Sequence, residues 1–224
     1  MPTHQPCSAL AHFIWRKRLP GIFVTGTDTH VGKTFITSQL VQRLQELGVN
    51  AVAMKPVACG DCGYDDVKLF WELAKKKVPV SQLNPYHFQL PLAPVAQRSK
   101  IKVSPQKIRN LYRKLCAKHD IVLAEGAGGL LVPITWKMSV REIAKAIGAP
   151  LLIVARAGLG TLNHTILTVE AARRASLKVA AVVLNDWDGT KFRSAPRNKR
   201  VLEKLLKVPV FIEPYRDRFG SRVC

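Results

Sequence analysis

The 224-residue sequence predicts an α/β fold: a mainly parallel sheet with helices on both faces. Three observations carry that expectation. Wholly apolar runs, such as residues 121–124 and 151–155, have the composition of strands buried on both sides. Segments with apolar residues at helical spacing lie between such runs, and the two patterns alternate down the chain. Glycines and prolines fall where one pattern gives way to the next, as at Gly48, Pro56, Gly148 and Pro150.

Taken in order, residues 1–20 hold Arg16, Lys17 and Arg18 and no acid, and their apolar part, Ala9 to Trp15, precedes the charges. That is the reverse of a secretory leader, so this stretch is expected to be a loose N-terminal extension to one domain spanning residues 21–224. Gly21 to Thr25 is an apolar strand that runs into a glycine-bounded turn. Ile36, Leu40, Leu44 and Leu47 then mark a helix closed by Gly48. Asn50 to Met54 is a short strand stopped at Lys55-Pro56, which puts Lys55 at a strand's C-terminal end.

Asp61 to Tyr64 is turn-rich, and the helix after it is expected to begin near Asp65 and Asp66. Residues 79–94 are proline-rich and expected to be irregular. Ser104-Pro105 starts a helix with Ile108, Leu111, Tyr112 and Leu115 on one face. Asp120 to Ala124 is a strand ending in Glu125-Gly-Ala-Gly-Gly129, and Ser139-Val-Arg-Glu142 is a capping box. A strand over 150–155, a helix after Gly158-Leu-Gly, a strand ending at Asn185-Asp186, a basic helix over 197–207 and a strand over 208–212 complete the pattern.

The 35 Lys and Arg against 15 Asp and Glu give a net charge of +20. Eight bases and no acid lie between Arg98 and Lys118. The bases are nonetheless spread over the chain, with few aromatics among them and no nucleic-acid-binding motif. A solvated basic surface is expected, and no nucleic-acid partner. No apolar run reaches the ~18 residues of a membrane span. The five cysteines, Cys7, Cys59, Cys62, Cys116 and Cys224, are odd in number and scattered, which fits reduced thiols in a cytoplasm. Cys59 and Cys62 form a C-x-x-C with no second pair at zinc-ribbon spacing.

Chemistry concentrates between Gly21 and Thr34, where G-x-x-x-x-G-K-T is complete as Gly26, Gly32, Lys33 and Thr34. Backbone N–H groups of such a loop cradle phosphates, the lysine reaches the β/γ-phosphates and the Thr hydroxyl suits Mg²⁺. The motif follows a strand and opens a helix, the context it requires. The fold class is therefore P-loop NTPase-like. Lys55, and Glu125 beside its glycines, end other strands on the edge where open α/β sheets bind ligands, and Glu125 is suited to face Mg²⁺.

Together, Gly26-Thr-Asp-Thr-His-Val-Gly-Lys-Thr34, Lys55-Pro-Val-Ala58, Asn84-Pro-Tyr86, Glu125-Gly-Ala-Gly-Gly129, Leu159-Gly-Thr-Leu-Asn-His164 and Asn185-Asp186 resemble the ATP-dependent dethiobiotin synthetase family. The match runs in order from about Gly21 to Pro214. The resemblance implies a cyclo-ligase of biotin biosynthesis that joins CO₂ to 7,8-diaminononanoate with ATP, giving dethiobiotin, ADP and phosphate.

It implies catalytic roles for Lys33 and Lys55, and Mg²⁺ held by Thr34, Asp66 and Glu125. ATP would be bound by Thr29, His30, Val31, Gly32, Lys33, Thr34, Phe35, Asp66, Glu125, Gly126, Ala127, Gly128, Asn185, Asp186 and Pro214. The diamine would meet Cys59, with its carboxylate at Thr161, Leu162 and Asn163 across a homodimer interface. The sequence departs from the family at His30, where familiar members are acidic, at Cys59, where serine is common, and at Val95, where a histidine often follows proline. A ParA/MinD-like switch ATPase would share the sheet, but such proteins usually have a lysine early in the loop, where Thr27 and Asp28 stand. A regulatory P-loop domain would leave the Lys55 and Leu159–Asn163 segments without a purpose.

Overall fold

The computed structural model describes residues 7–97, 99–186 and 194–214, with residues 62–64 described by backbone alone. Residues 1–6, Arg98, Cys224 and the side chain of Cys62 thus lie outside the described residues. The chain begins with helix α1 (Ser8–Arg16), strand β1 (Gly21–Gly26) and helix α2 (Lys33–Glu46), followed by β2 (Ala51–Met54) and β3 (Val57–Cys59). Helices α3 (Gly60–Leu73) and α4 (Val80–Leu83), strand β4 (Tyr86–Phe88), a 3₁₀ turn over Pro94–Ala96 and helix α5 (Pro105–Cys116) come next. The remainder is β5 (Ile121–Gly129), the small hairpin β6 (Pro133–Thr135) and β7 (Met138–Ser139), α6 (Val140–Ile147), β8 (Leu151–Arg156), α7 (Thr161–Arg174), β9 (Val179–Asn185), α8 (Ala195–Leu206) and β10 (Val210–Glu213).

Six strands form one sheet in the order β10-β9-β8-β1-β5-β2, every neighbouring pair parallel. The apolar runs explain it. Strand β1 is buried at all six positions, which only a central strand covered on both faces achieves. Its alternate residues face opposite ways: Phe23 joins the core on one side with residues of α5, α6, α7 and α8, while Ile22 and Val24 join the core on the other with α1 and α2. After β5 the chain crosses to β8 on the far side of β1, so a topological switch, and with it a ligand crevice, falls at the C-terminal end of β1.

Caps set the helix ends. The Ser104 hydroxyl accepts from Lys107 N–H at 3.2 Å with Pro105 behind it, and Ile108, Tyr112 and Leu115 form the buried face of α5. At α6 the capping box is closed in both directions between Ser139 and Glu142, and Gly148 ends the helix at φ 76°.

Four stretches differ from the sequence-based expectation. Residues 8–16 are not a loose extension: they form α1, which buries Leu10, Ala11 and Ile14 against the α2 side of the sheet. Burying Leu10 and Ile14 contributes about 1.5–3 kcal/mol each, enough to hold a nine-residue helix whose basic end stays in solvent. Helix α3 starts at Gly60 rather than near Asp65, so Asp66 sits in its second turn, turned toward the sheet edge. The proline-rich stretch is partly ordered, with Val57–Cys59 pairing in parallel with Tyr86–Phe88. Strand β5 continues through the glycines to Gly129, shifting register against β1 beyond Val24. Among the described residues, no helix is long and apolar enough to cross a membrane.

Candidate active site

The phosphate loop joins β1 to α2 at the switch point. Two residues in it have left-handed backbone, His30 at φ 52° and Gly32 at φ 88°. A Cβ on Gly32 would come within 2.0 Å of Asn185 Nδ2, so the position needs glycine for space as well as conformation. Asn185 Nδ2 in turn donates to Val31 O at 2.9 Å, tying the end of β9 to the loop. The Asp28 carboxylate accepts from Thr29 N–H at 2.7 Å, and Arg156, at the end of β8, reaches Thr29 O at 3.5 Å.

Lys33 opens α2 with its side chain folded back into the loop, where Nζ donates to Asp28 O at 3.1 Å. Burial, and then the nearby Lys55 ammonium, pull its pKa down to about 8. Close to it lies a three-residue ionic cluster. Lys55 Nζ is 2.5 Å from Asp66 Oδ2 and 2.6 Å from Glu125 Oε1, and the Thr34 hydroxyl donates to the same Glu125 oxygen at 2.9 Å.

The sheet builds this cluster. Met54 and Ala124 are register partners on β2 and β5, so the residues that follow them, Lys55 and Glu125, emerge side by side. Asn84 fixes the lysine's peptide by donating to Lys55 O at 2.7 Å, while Lys55 N–H donates to Leu83 O at 2.8 Å.

Burial alone would lower the Lys55 pKa, but the Glu125 and Asp66 carboxylates outweigh it and hold the ammonium well above its ordinary value. Lys55 is therefore a fixed positive charge and not a proton acceptor. Asp66 shares that single ammonium with Glu125, and burial raises its carboxyl against the pull of Lys55. The Cys59 thiol is also pushed up, to about 11, by burial against the opposing effect of Lys55, which keeps it neutral.

Glu125 is fully buried, and its second oxygen, Oε2, has no hydrogen-bond partner among the described residues. A buried carboxylate oxygen without a donor is costly unless a cation meets it. Two carboxylates and the Thr34 hydroxyl, all oxygen donors, suit Mg²⁺ better than a softer metal.

Of the residues expected at the site, Thr34, Lys55, Asp66 and Glu125 are in contact, Lys33 and Cys59 lie close to Lys55, Gly128 lies against Thr29, and Asn185 is bonded to Val31, whereas Phe35 packs against the apolar core. Asp186 N–H donates to Glu213 O at 2.9 Å, which brings Pro214, the next residue, to the same edge. Thr161, Leu162 and Asn163 open α7 on this edge too. Among the described residues no hydrogen bond joins them to the lysine cluster. Leu159 before them is fully exposed, and Leu167 on α7 is more than half exposed. Sequence reasoning gave no role to Asn84 or Arg156; an Asn-Pro-Tyr turn and a charge ending an apolar strand were the available signals.

The fold and loop define a P-loop nucleotide-binding protein. An AAA-domain family model matches residues 20–214. The chain is 41% identical over 207 residues to an ATP-dependent dethiobiotin synthetase of Anaeromyxobacter dehalogenans, covering 90% of this chain and 93% of that protein. It is 44% identical over 189 residues to the synthetase of an Anaeromyxobacter species, strain Fw109-5, covering 83% and 85%. Among solved structures, the septum site-determining protein MinD of Pyrococcus horikoshii, complexed with Mg-ADP, superposes with a TM-score of 0.56 at 18% identity over 87% of this chain and 80% of that one. At that identity the likeness shows the fold alone. The chain belongs to the ATP-dependent dethiobiotin synthetase family.

Proposed function

We infer that this protein is a dethiobiotin synthetase, an ATP-dependent carbon–nitrogen ligase that closes a cyclic urea on 7,8-diaminononanoate. The observation that carries the reading is Lys55, held as a permanent cation by Asp66 and Glu125 directly behind the phosphate loop. It supplies positive charge where a carbamate and a transferring phosphoryl group would both be anionic.

CO₂ adds to one amine of the diamine and a proton leaves, giving a carbamate. A carbamate oxygen attacks the γ-phosphorus, the bond to the bridging oxygen breaks, and ADP departs from a carbamic–phosphoric anhydride. The second amine then attacks the carbamoyl carbon, phosphate leaves with the C–O electron pair, a proton is lost and the ring closes.

The substrate provides the nucleophiles, so the protein's task is to orient and neutralise. Lys33 faces the β/γ-phosphates from the loop, and Lys55 stabilises charge on the carbamate and the phosphoryl oxygens. Cys59, kept neutral, lies beside the diamine as a contact and not a nucleophile. Thr34, Asp66 and Glu125 would hold Mg²⁺, which offsets phosphate charge when bound. His30 and Phe35 flank the loop, and Asn185, Asp186 and Pro214 form the adenine end. Thr161, Leu162 and Asn163 receive the substrate carboxylate at a homodimer interface that also covers Leu159. The enzyme works in the cytoplasm and needs no nucleic-acid partner.

The decisive experiment supplies Mg²⁺, ATP and bicarbonate with and without 7,8-diaminononanoate. Dethiobiotin and ADP appear together only with the diamine. ATP turnover indifferent to the diamine and stimulated by DNA would replace this reading with a switch ATPase.

A further inference from the structure

Helix α1 lies ahead of the segment matched by the family model, which starts at residue 20, yet it is bonded into the nucleotide end of the crevice. The N–H of Cys7, at the helix start, donates to Glu213 Oε2 at 2.8 Å in a buried contact. Glu213 is the last residue of β10 and the register partner of Asn185. Its carbonyl accepts from Asp186 N–H at 2.9 Å, and Asn185 Nδ2 donates to Val31 O in the phosphate loop at 2.9 Å.

Three hydrogen bonds thus run from the start of α1, across the ends of β10 and β9, into the loop. Cys7, Glu213, Asp186, Asn185 and Val31 are all buried. Among the described residues strand β10 is at the sheet's edge, with ladder bonds to β9 alone, so no described strand fixes its other side. Helix α1 supplies that restraint. Phe13 packs against Phe211 of β10 with ring centroids 5.4 Å apart and the rings tilted by 53°, and the Glu213 carboxylate sits on the positive end of the helix.

We propose that α1 and Glu213 form a positioning device for the nucleoside half of the site: Glu213 acts through the Asn185-Asp186 pair to set the pocket that selects adenine. Glu213 is assigned as a positioning residue because its Oε2 accepts from Cys7 N–H and its backbone carbonyl from Asp186 N–H. The inference rests on the nucleotide-binding reading above, but not on the urea chemistry.

The test is ADP and GDP binding by titration calorimetry with Mg²⁺ on the full chain. Glu213→Ala weakens ADP binding about tenfold and shrinks the preference for ADP over GDP, whereas Glu213→Gln, which keeps an acceptor for Cys7 N–H, stays within about twofold of the parent. Phe13→Ala, which loosens α1 without touching the carboxylate, shifts both quantities the same way and serves as the test if Glu213→Ala does not fold. A lower melting temperature with unchanged ADP affinity and unchanged base preference overturns the proposal. A parent protein that binds ADP selectively without making dethiobiotin would sink the ligase reading and leave this one standing.

Discussion

Lys55 Nζ and Glu125 Oε1 lie 2.6 Å apart because they follow register partners on adjacent parallel strands. The pair is therefore a product of the sheet and does not depend on a mobile loop. Glu125 is fully buried, so the lysine balances a charge that water cannot reach.

Replacing Lys55 by Ala is expected to lower dethiobiotin formation by about 10²–10³. It also leaves Glu125 buried without its cation, at about 3–5 kcal/mol. Dethiobiotin formation by the variant, with its melting temperature beside the parent's, checks both expectations; a variant that turns over at the parent rate would contradict the role given to Lys55.

Lys33 gives a second pH signature. Its pKa near 8 in the free protein, caused by burial and then by Lys55, leaves it largely neutral above that pH. A bound polyphosphate favours the charged form, so ADP binding at about pH 8.5 takes up protons, and uptake fades toward about pH 7. Calorimetry in buffers of different ionisation enthalpy reads the uptake directly. For stability the sign is opposite to that of a paired lysine. Between about 8 and the ordinary 10.5 the unfolded chain holds more protons at this group, so the ligand-free protein gains stability from it as pH rises.

Much of this was legible in the sequence, and the exceptions have physical causes. The strands were readable because all-apolar runs in parallel sheets have few alternatives, and the phosphate loop because its motif sat between strand and helix. Glu125, Lys55 and Asp66 could be assigned from resemblance, but not their mutual contact, which depends on strand order. Helix α1 was missed because three consecutive bases at its end read as solvent, although Leu10 and Ile14 already had helical spacing. The start of α3 was hidden by turn-forming residues, Gly60, Asp61 and Gly63, which tolerate a helix once tertiary contacts favour it. The link from Cys7 to Glu213 spans 206 residues, a separation no local pattern encodes.

Gly32→Ala is expected to abolish nucleotide binding while leaving the sheet intact. The left-handed φ of 88° strains any side chain, and the new Cβ would drive into Asn185 Nδ2. The backbone cost is about 1–3 kcal/mol. Displacing Asn185 would also break its bond to Val31. Loss of ADP binding with native far-ultraviolet circular dichroism and a lower melting temperature is the expected result; retained affinity would mean the loop can reopen without Asn185.

The last prediction concerns a surface. Asn163 and Leu167 lie one turn apart on the same side of α7, Leu159 lies in the turn just before the helix, and both leucines are exposed. Apolar side chains exposed before and on this helix, beside the residues proposed to receive the substrate carboxylate, suit a two-fold contact in which each copy covers the other. Changing Leu159 and Leu167 together to Asp places like charges in that contact. The double variant is expected to sediment as a monomer and to show a raised KM for the diamine, as the proposal that a second copy completes each carboxylate site requires. ADP affinity stays at the parent value, because the phosphate loop and Asn185 belong to one chain. A variant that remains dimeric with an unchanged diamine KM would move the interface to another face, and a monomeric parent would remove it altogether.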